Sequence, residues 1–135
     1  MILNTEKFGF ESDDLAAVTA AISRALEVPA RPRFYEGFGG DFSSFGKYKE
    51  AGGVLSLYRN HFHDGEDRVV QEESFPELGL ILLVEQRGEY KNYEPILAKM
   101  DTFKPILLLR RRYDDETREK EILFDLASGQ AQSES

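Results

Sequence analysis

Leu15, Val18, Ile22 and Leu26 recur three and four positions apart, which lines one apolar stripe of a helix. Ser12 is placed to cap that helix, and Asp13 and Asp14 put negative charge at the positive end of its dipole. Pro29 ends it, because a proline ring cannot continue the turn. After Pro29 the period shifts toward two. Arg33 to Phe38 and the aromatic-rich Phe42 to Tyr48 read as strands around a Gly39-Gly40-Asp41 turn. Val54 to Arg59 alternates, with Val54, Ser56 and Tyr58 on one side and Leu55, Leu57 and Arg59 on the other. The polar stretch His61 to Arg68 contains Asp64-Gly65 and reads as a hairpin loop, so Val69 to Glu73 is expected to return antiparallel to the strand before it. Leu80 to Val84 is apolar at every position, as a strand covered on both faces would be.

A second helix is expected from about Tyr90 to Asp101, burying Tyr93, Ile96, Leu97 and Met100 with Pro95 in its first turn. Ile106 to Leu109 reads as a short strand that Arg110-Arg111-Arg112 carries into solvent, where these arginines are expected to pair with Asp114, Asp115 and Glu116. Glu121 to Leu126 reads as a last edge strand and Lys7 to Phe10 as an N-terminal one. Each element has a single apolar stripe to hide. The economical solution is one α+β domain over residues 1–126, a mostly antiparallel sheet of four to six strands with two helices packed on one face. A ferredoxin-like split arrangement is the closest named topology. Ala127 to Ser135 is small and polar and is expected to be a disordered tail.

Composition narrows the function. The chain has 135 residues, 41% apolar and 12% aromatic, enough for one core. Its formal charge of −8 argues against nucleic acid, because phosphate affinity needs clustered Lys and Arg. The longest apolar run, around Leu78 to Val84, is too short for a membrane span, and Met1 to Lys7 has neither a basic start nor an apolar stretch, so a cytoplasmic location is expected. With no cysteine there is no thiolate ligand, thiol nucleophile or disulfide.

The candidate chemistry is thin. His61 and His63 are the two histidines, both in the expected hairpin loop beside Asp64 and Asp67. Their spacing matches neither the usual zinc arrangements nor a helical pair, so no metal and no other cofactor is expected. No serine sits in a glycine-flanked elbow, and Gly37, Gly39 and Gly40 lack the Lys-Ser or Lys-Thr that completes a phosphate cradle. Adjacent carboxylates such as Glu72 and Glu73 would point to opposite faces of a strand and could not share a proton. No base, nucleophile and orienter come together, and the expectation is a protein without catalytic residues.

Charge is patterned more strongly than any motif. From His61 to Tyr90 eight carboxylates face only Arg68 and Arg87; Lys91 to Arg112 is basic, and Tyr113 onward is acidic again. Asp64, Glu66, Asp67, Glu72, Glu73 and Glu77 therefore suggest an acidic surface near an aromatic ridge of Tyr35, Phe38, Phe42, Phe45, Tyr48 and Tyr58. Such a composition suits capture of a basic protein, since complementary charge steers encounter and aromatics anchor it. Tyr35 and Tyr58 are the expected aromatic contacts.

The run of features is also familiar. An amphipathic helix precedes Gly39-Gly40-Asp41-Phe42, a strand ends in Leu57-Tyr58-Arg59-Asn60, Glu72-Glu73-Ser74-Phe75-Pro76-Glu77 approaches an apolar strand, and a helix leads to Leu107-Leu108-Leu109-Arg110-Arg111. From about Phe10 to Tyr113 this resembles the small bacterial immunity-like proteins, cytoplasmic antidotes encoded beside polymorphic or contact-dependent toxins. The resemblance implies a non-catalytic protein that occludes a toxin domain, often a nuclease with a basic active surface, and it assigns no catalytic residue. Two other readings stand beside it: an adaptor that pairs with itself through a sheet edge, forming a homodimer, and a small metal-dependent enzyme using His61 and His63.

Overall fold

The computed structural model of the chain describes residues 1–46 and 53–131. Its strands are β1 (Ile2–Phe10), β2 (Ala30–Tyr35), β3 (Gly40–Phe45), β4 (Gly53–Arg59), β5 (His61–Asp64), β6 (Asp67–Val70), β7 (Leu80–Arg87), β8 (Ile106–Asp114), β9 (Glu119–Asp125) and β10 (Gln130–Ala131). The helices are α1 (Leu15–Leu26) and α2 (Glu94–Leu97), with a 3-10 turn at Glu36–Phe38. Eight strands form one sheet in the order β10-β9-β8-β1-β7-β4-β3-β2, larger than the expected four to six, and every neighbouring pair is antiparallel. β5 and β6 make a separate hairpin.

α1 forms where its stripe and caps place it. Asp14, not Ser12, is the N-cap: its Oδ1 accepts from the Ala17 N–H, while Ser12 Oγ accepts from the Asp14 N–H. At the far end Glu27 turns into the left-handed region (φ 56), and the N–H groups of Glu27 and Val28 return to the carbonyls of Arg24 and Ser23, so the helix stops at Leu26, three residues before Pro29. Val18 and Ile22 enter the core with Phe8, Phe10, Leu55, Leu57, Leu80, Leu82 and Val84 of the sheet and Leu97 and Met100 of the α2 region. The two helices thus share one face, as expected.

α2 is a single turn. Gln86 is the reason it does not start at Tyr90: its side-chain amide donates to the Lys91 carbonyl and its Oε1 accepts from the Lys91 N–H, holding that residue out of helical geometry. Asn92 Oδ1 then accepts from the Glu94 N–H, and Pro95 sits in the first turn. β7 and β8 both run antiparallel to β1, which lies between them, so β7-α2-β8 is a split βαβ unit. The other half departs from a ferredoxin-like order, because β3, β4 and β7 all separate β1 from β2.

Several segments differ in extent from expectation. Glu36–Phe38 is a 3-10 turn closed by Gly39 (φ 79), not the end of a strand, and Gly40 already belongs to β3. His61 to Arg68 is itself strand-forming, its two-residue Gly65-Glu66 loop turning on a Gly65 φ of 65, so Val69 and Val70 pair with β5 and not with β4. β1 spans nine residues and is internal. Ala127 does not begin a frayed tail: Ala127 N–H and Ser128 Oγ bond to Asp125, and Gln130–Ala131 pairs back onto β9. The expected strand segment through Tyr48 ends at Phe45 among the described residues, and Tyr48 lies outside them.

Candidate functional site

Successive residues of a strand point to opposite faces, so on β1 Glu6 shares the helix face with Phe8 while Lys7 points to the other. Each face carries a charged region.

On the helix-free face lies an arm formed by the β5–β6 hairpin and the turn segment of residues 71–79. Asn60, fully buried, anchors it. The Asn60 Nδ2 donates to the carbonyls of Phe75 and Leu78 (3.0 and 2.8 Å), and its Oδ1 accepts from the Glu72 N–H (2.7 Å). Phe75 and Leu78 then pack with Tyr58, Ile81 and Leu108. The hairpin rests on the 3-10 turn: Gln71 Nε2 donates to the Gly37 carbonyl, and Phe62 lies where a side chain at Gly39 would be, 2.5 Å from an ideal Cβ.

The six candidate acids fall into two environments. Asp64, Glu66 and Asp67 are exposed at the hairpin end, and none is in an ion pair among the described residues. Glu73 and Glu77 are exposed along the arm. Glu72 instead pairs with Lys7 at 2.6 Å and is mostly covered, so its charge is answered within the chain.

The aromatics separate in the same way. Tyr35 (56% exposed) meets Phe38 edge-on at 5.1 Å, and Phe38 stacks on Tyr58 at 4.3 Å and meets Phe42 edge-on at 4.9 Å. Tyr35 therefore reaches solvent beside the arm. Tyr58 corrects the expectation: it is 5% exposed, and burial, then the charges of Glu72 and Glu85, push its phenol well above the ordinary range. Its ring supports the ridge from beneath. Phe45 lies in the core on the helix face. Phe34, 70% exposed on the edge strand, is an apolar group that the sequence reading passed over, although it sits in the same run as Tyr35.

His61 has a structural assignment. Its Nε2 faces the Pro76 carbonyl at 2.6 Å and must donate, while Nδ1 accepts from Arg68 Nη2 at 3.1 Å. His63 is exposed beside Arg68 across the hairpin, and among the described residues no three His, Asp or Glu side chains cluster to hold a metal.

On the helix face, beyond the end covered by α1, Glu6 is buried (side chain 1% exposed) in β1. Its Oε2 accepts from Arg110 Nε at 2.7 Å and from the Tyr90 hydroxyl at 3.1 Å, and Arg110 Nη2 reaches Glu94 Oε1 at 3.2 Å. A bulge at Lys7/Phe8 in the β1–β8 ladder makes this pairing: Phe8 faces Leu107 but Lys7 faces Leu109, so the extra residue brings Arg110 opposite Glu6. Arg110 thus corrects the expectation of a solvent-borne triplet paired with Asp114 to Glu116. Asp115 and Glu116 pair with the Met1 ammonium instead. Burial works against the Arg110 charge, but the hydrogen bond and charge of Glu6 outweigh it and hold the guanidinium above its ordinary range. Tyr90 is raised chiefly by burial, with the Glu6 charge adding to it. These side chains border a pocket of about 450 Å³. The signal in the sequence was parity: Asn4 and Glu6 fall in step with Phe8 and Phe10 on one strand face.

No family model, no curated protein and no solved structure matches the chain. Among the described residues no helix is long and apolar enough to cross a membrane.

Proposed function

We propose that the chain is a non-catalytic binding protein that captures a basic protein domain through its acidic arm, in the manner of an immunity protein occluding a cognate, nuclease-like toxin. The observation that carries this reading is the hairpin end, where Asp64, Glu66 and Asp67 stand exposed on an arm that Asn60 fixes to the sheet. Three carboxylates on a held support give a directed negative potential, which raises the rate of encounter with a positive surface. Tyr35, packed edge-on against Phe38, supplies exposed aromatic area beside the arm, the kind of group that anchors a complex once formed, whereas Phe34 projects from the other face of β2. Arg31, Arg33 and Glu36 flank these rings, so the surface is acidic at the hairpin and mixed at the edge strand. Glu73 and Glu77 extend the acidic side along the arm. Glu72 and Tyr58 support that surface and do not contact the partner.

Self-association through the sheet edge is disfavoured by the edge itself. β2 carries Pro32, which has no N–H to donate, between the exposed Arg31 and Arg33, and at the opposite edge β10 covers only Phe124 and Asp125 of β9, whose open part begins with the exposed charges of Glu119, Lys120 and Glu121. The test is calorimetric titration of the full chain with the product of the adjacent reading frame. Formation of a complex that weakens in Asp64→Lys/Glu66→Lys/Asp67→Lys supports the proposal. Absence of a complex, or equal affinity in that variant, overturns it.

A further inference from the structure

His61 is tied to two parts of the acidic arm by atoms whose chemistry leaves one arrangement of protons. An arginine can only donate, so the Nδ1 that faces Arg68 Nη2 at 3.1 Å carries a lone pair. A carbonyl can only accept, so the Nε2 that faces the Pro76 carbonyl at 2.6 Å carries the proton. Both contacts together require a neutral ring. Protonating Nδ1 sets one N–H against another and places a second cation beside the guanidinium.

The hairpin register shows what this contact does to Arg68. His61 pairs with Val70 and His63 with Arg68, so both histidines and Arg68 share one face, and Arg68 reaches diagonally back to His61, away from the Gly65-Glu66 loop. Phe62, Asp64, Asp67 and Val69 fall on the other face, where Phe62 meets the 3-10 turn that carries Glu36. Of the remaining charges on neighbouring segments, Glu72 is paired with Lys7, and Glu73 and Glu77 lie on either side of Pro76 in the chain. Arg59, ahead of the hairpin, donates to the Asp41 carbonyl. Among the described residues, Arg68 is the one charged group bonded to the ring. Asp64, Glu66 and Asp67 against Arg68 leave the hairpin a net charge of −2 while the imidazoles are neutral, and two imidazolium charges cancel it.

We propose that His61 is a pH-sensitive clasp that regulates capture through the acidic arm, an inference that rests on the binding reading above. While neutral, His61 holds Arg68 back from the hairpin end and fastens the hairpin to the turn segment, so Asp64, Glu66 and Asp67 present their charge undiminished. Protonation frees Arg68 to turn toward those carboxylates and adds positive charge to the same hairpin. Imidazoles ordinarily titrate at about pH 6.5 and carboxylates at about pH 4, so in the window between them the acids stay ionised while their field is cancelled. The arm captures a cationic partner at neutral pH and releases it in mild acid.

The experiment titrates tetralysine into the full chain at low salt, at about pH 8 and about pH 5.5, and follows amide and side-chain NMR signals. At the higher pH the ring nitrogen shifts of His61 should show the neutral form protonated on Nε2, and tetralysine should shift the amides of residues 63–68 saturably. At the lower pH the affinity should fall about fivefold, as two added surface charges predict, and the Arg68 Nε signal should move in step with the titration of His61. His61→Gln keeps a donor for the Pro76 carbonyl and an acceptor for Arg68 but does not titrate. It should match the wild type at the higher pH and lose the larger share of the fall, whereas His63→Gln should keep that share. Equal affinity at both pH values, a fall undiminished in His61→Gln, or an Arg68 signal indifferent to His61 would overturn the proposal and leave the binding reading standing. Failure of tetralysine to bind at either pH, or binding unchanged in Asp64→Lys/Glu66→Lys/Asp67→Lys, would overturn both.

Discussion

At the hairpin end Asp64, Glu66 and Asp67 stand in water on a two-stranded arm, whereas on the other face of the sheet Glu6 lies almost wholly buried against Arg110, Tyr90 and, through Arg110, Glu94. The two regions have like numbers of charges and opposite physical consequences. Solvent screens the first set, so those carboxylates add little to folding and remain available to act at a distance on an approaching partner. The second set is desolvated, so each member depends on its neighbours, and breaking one contact leaves a charge with no partner. Exposure, more than residue type, decides whether a charge serves association or structure.

That contrast can be broken experimentally. Arg110→Met should produce the largest loss, about 3–5 kcal/mol of unfolding free energy in urea, because it strands the Glu6 carboxylate. Glu6→Leu/Arg110→Met should recover most of it. Charge reversal of Asp64, Glu66 and Asp67 together should leave the urea midpoint close to that of the wild type. If the two variants proved equally destabilised, the division between a structural and an associative cluster would fail.

Asn60→Ala should cost about 3 kcal/mol, since it leaves the Phe75 and Leu78 carbonyls and the Glu72 N–H without their partner. Hydrogen exchange should show protection lost first across residues 71–79. Asn60→Asp keeps the shape and loses both donors, so it should release the arm almost as fully.

A smaller effect is expected with pH. Tyr58 and Tyr90 titrate above the ordinary phenol range when folded, both chiefly through burial. The unfolded chain then releases their protons first, so the stability these phenols contribute is complete below about pH 10 and is lost as pH rises through the folded values. Thermal denaturation should show Tm falling from about pH 10 upward, and less steeply in Tyr58→Phe. A fall of equal slope in that variant would assign the alkaline loss to other groups.

Much of the fold was legible because its signals are local. α1 is written in a stripe at spacings of three and four with acids before it, and β7 in consecutive apolar residues that both faces of the sheet bury. The second helix was read too long because its apolar spacing suited a helix, while the competing pull, the Gln86 amide on the Lys91 backbone, comes from a different element. The acidic arm was legible as composition but not as support, since nothing near Asn60 marks it as the residue that would hold both Phe75 and Leu78. The Glu6–Arg110 pair lies 104 residues apart and depends on a bulge that shifts register by one residue. Register is a property of two strands together, and one strand's sequence does not state it.

The central claim is that the hairpin carboxylates act on association. Stopped-flow mixing of the full chain with the product of the adjacent reading frame, at several salt concentrations, tests it directly. The wild type should associate rapidly with a steep decrease as salt rises, and Asp64→Lys/Glu66→Lys/Asp67→Lys should associate at least about tenfold more slowly at low salt with that decrease abolished. An association rate and salt dependence unchanged by the reversal would contradict the account.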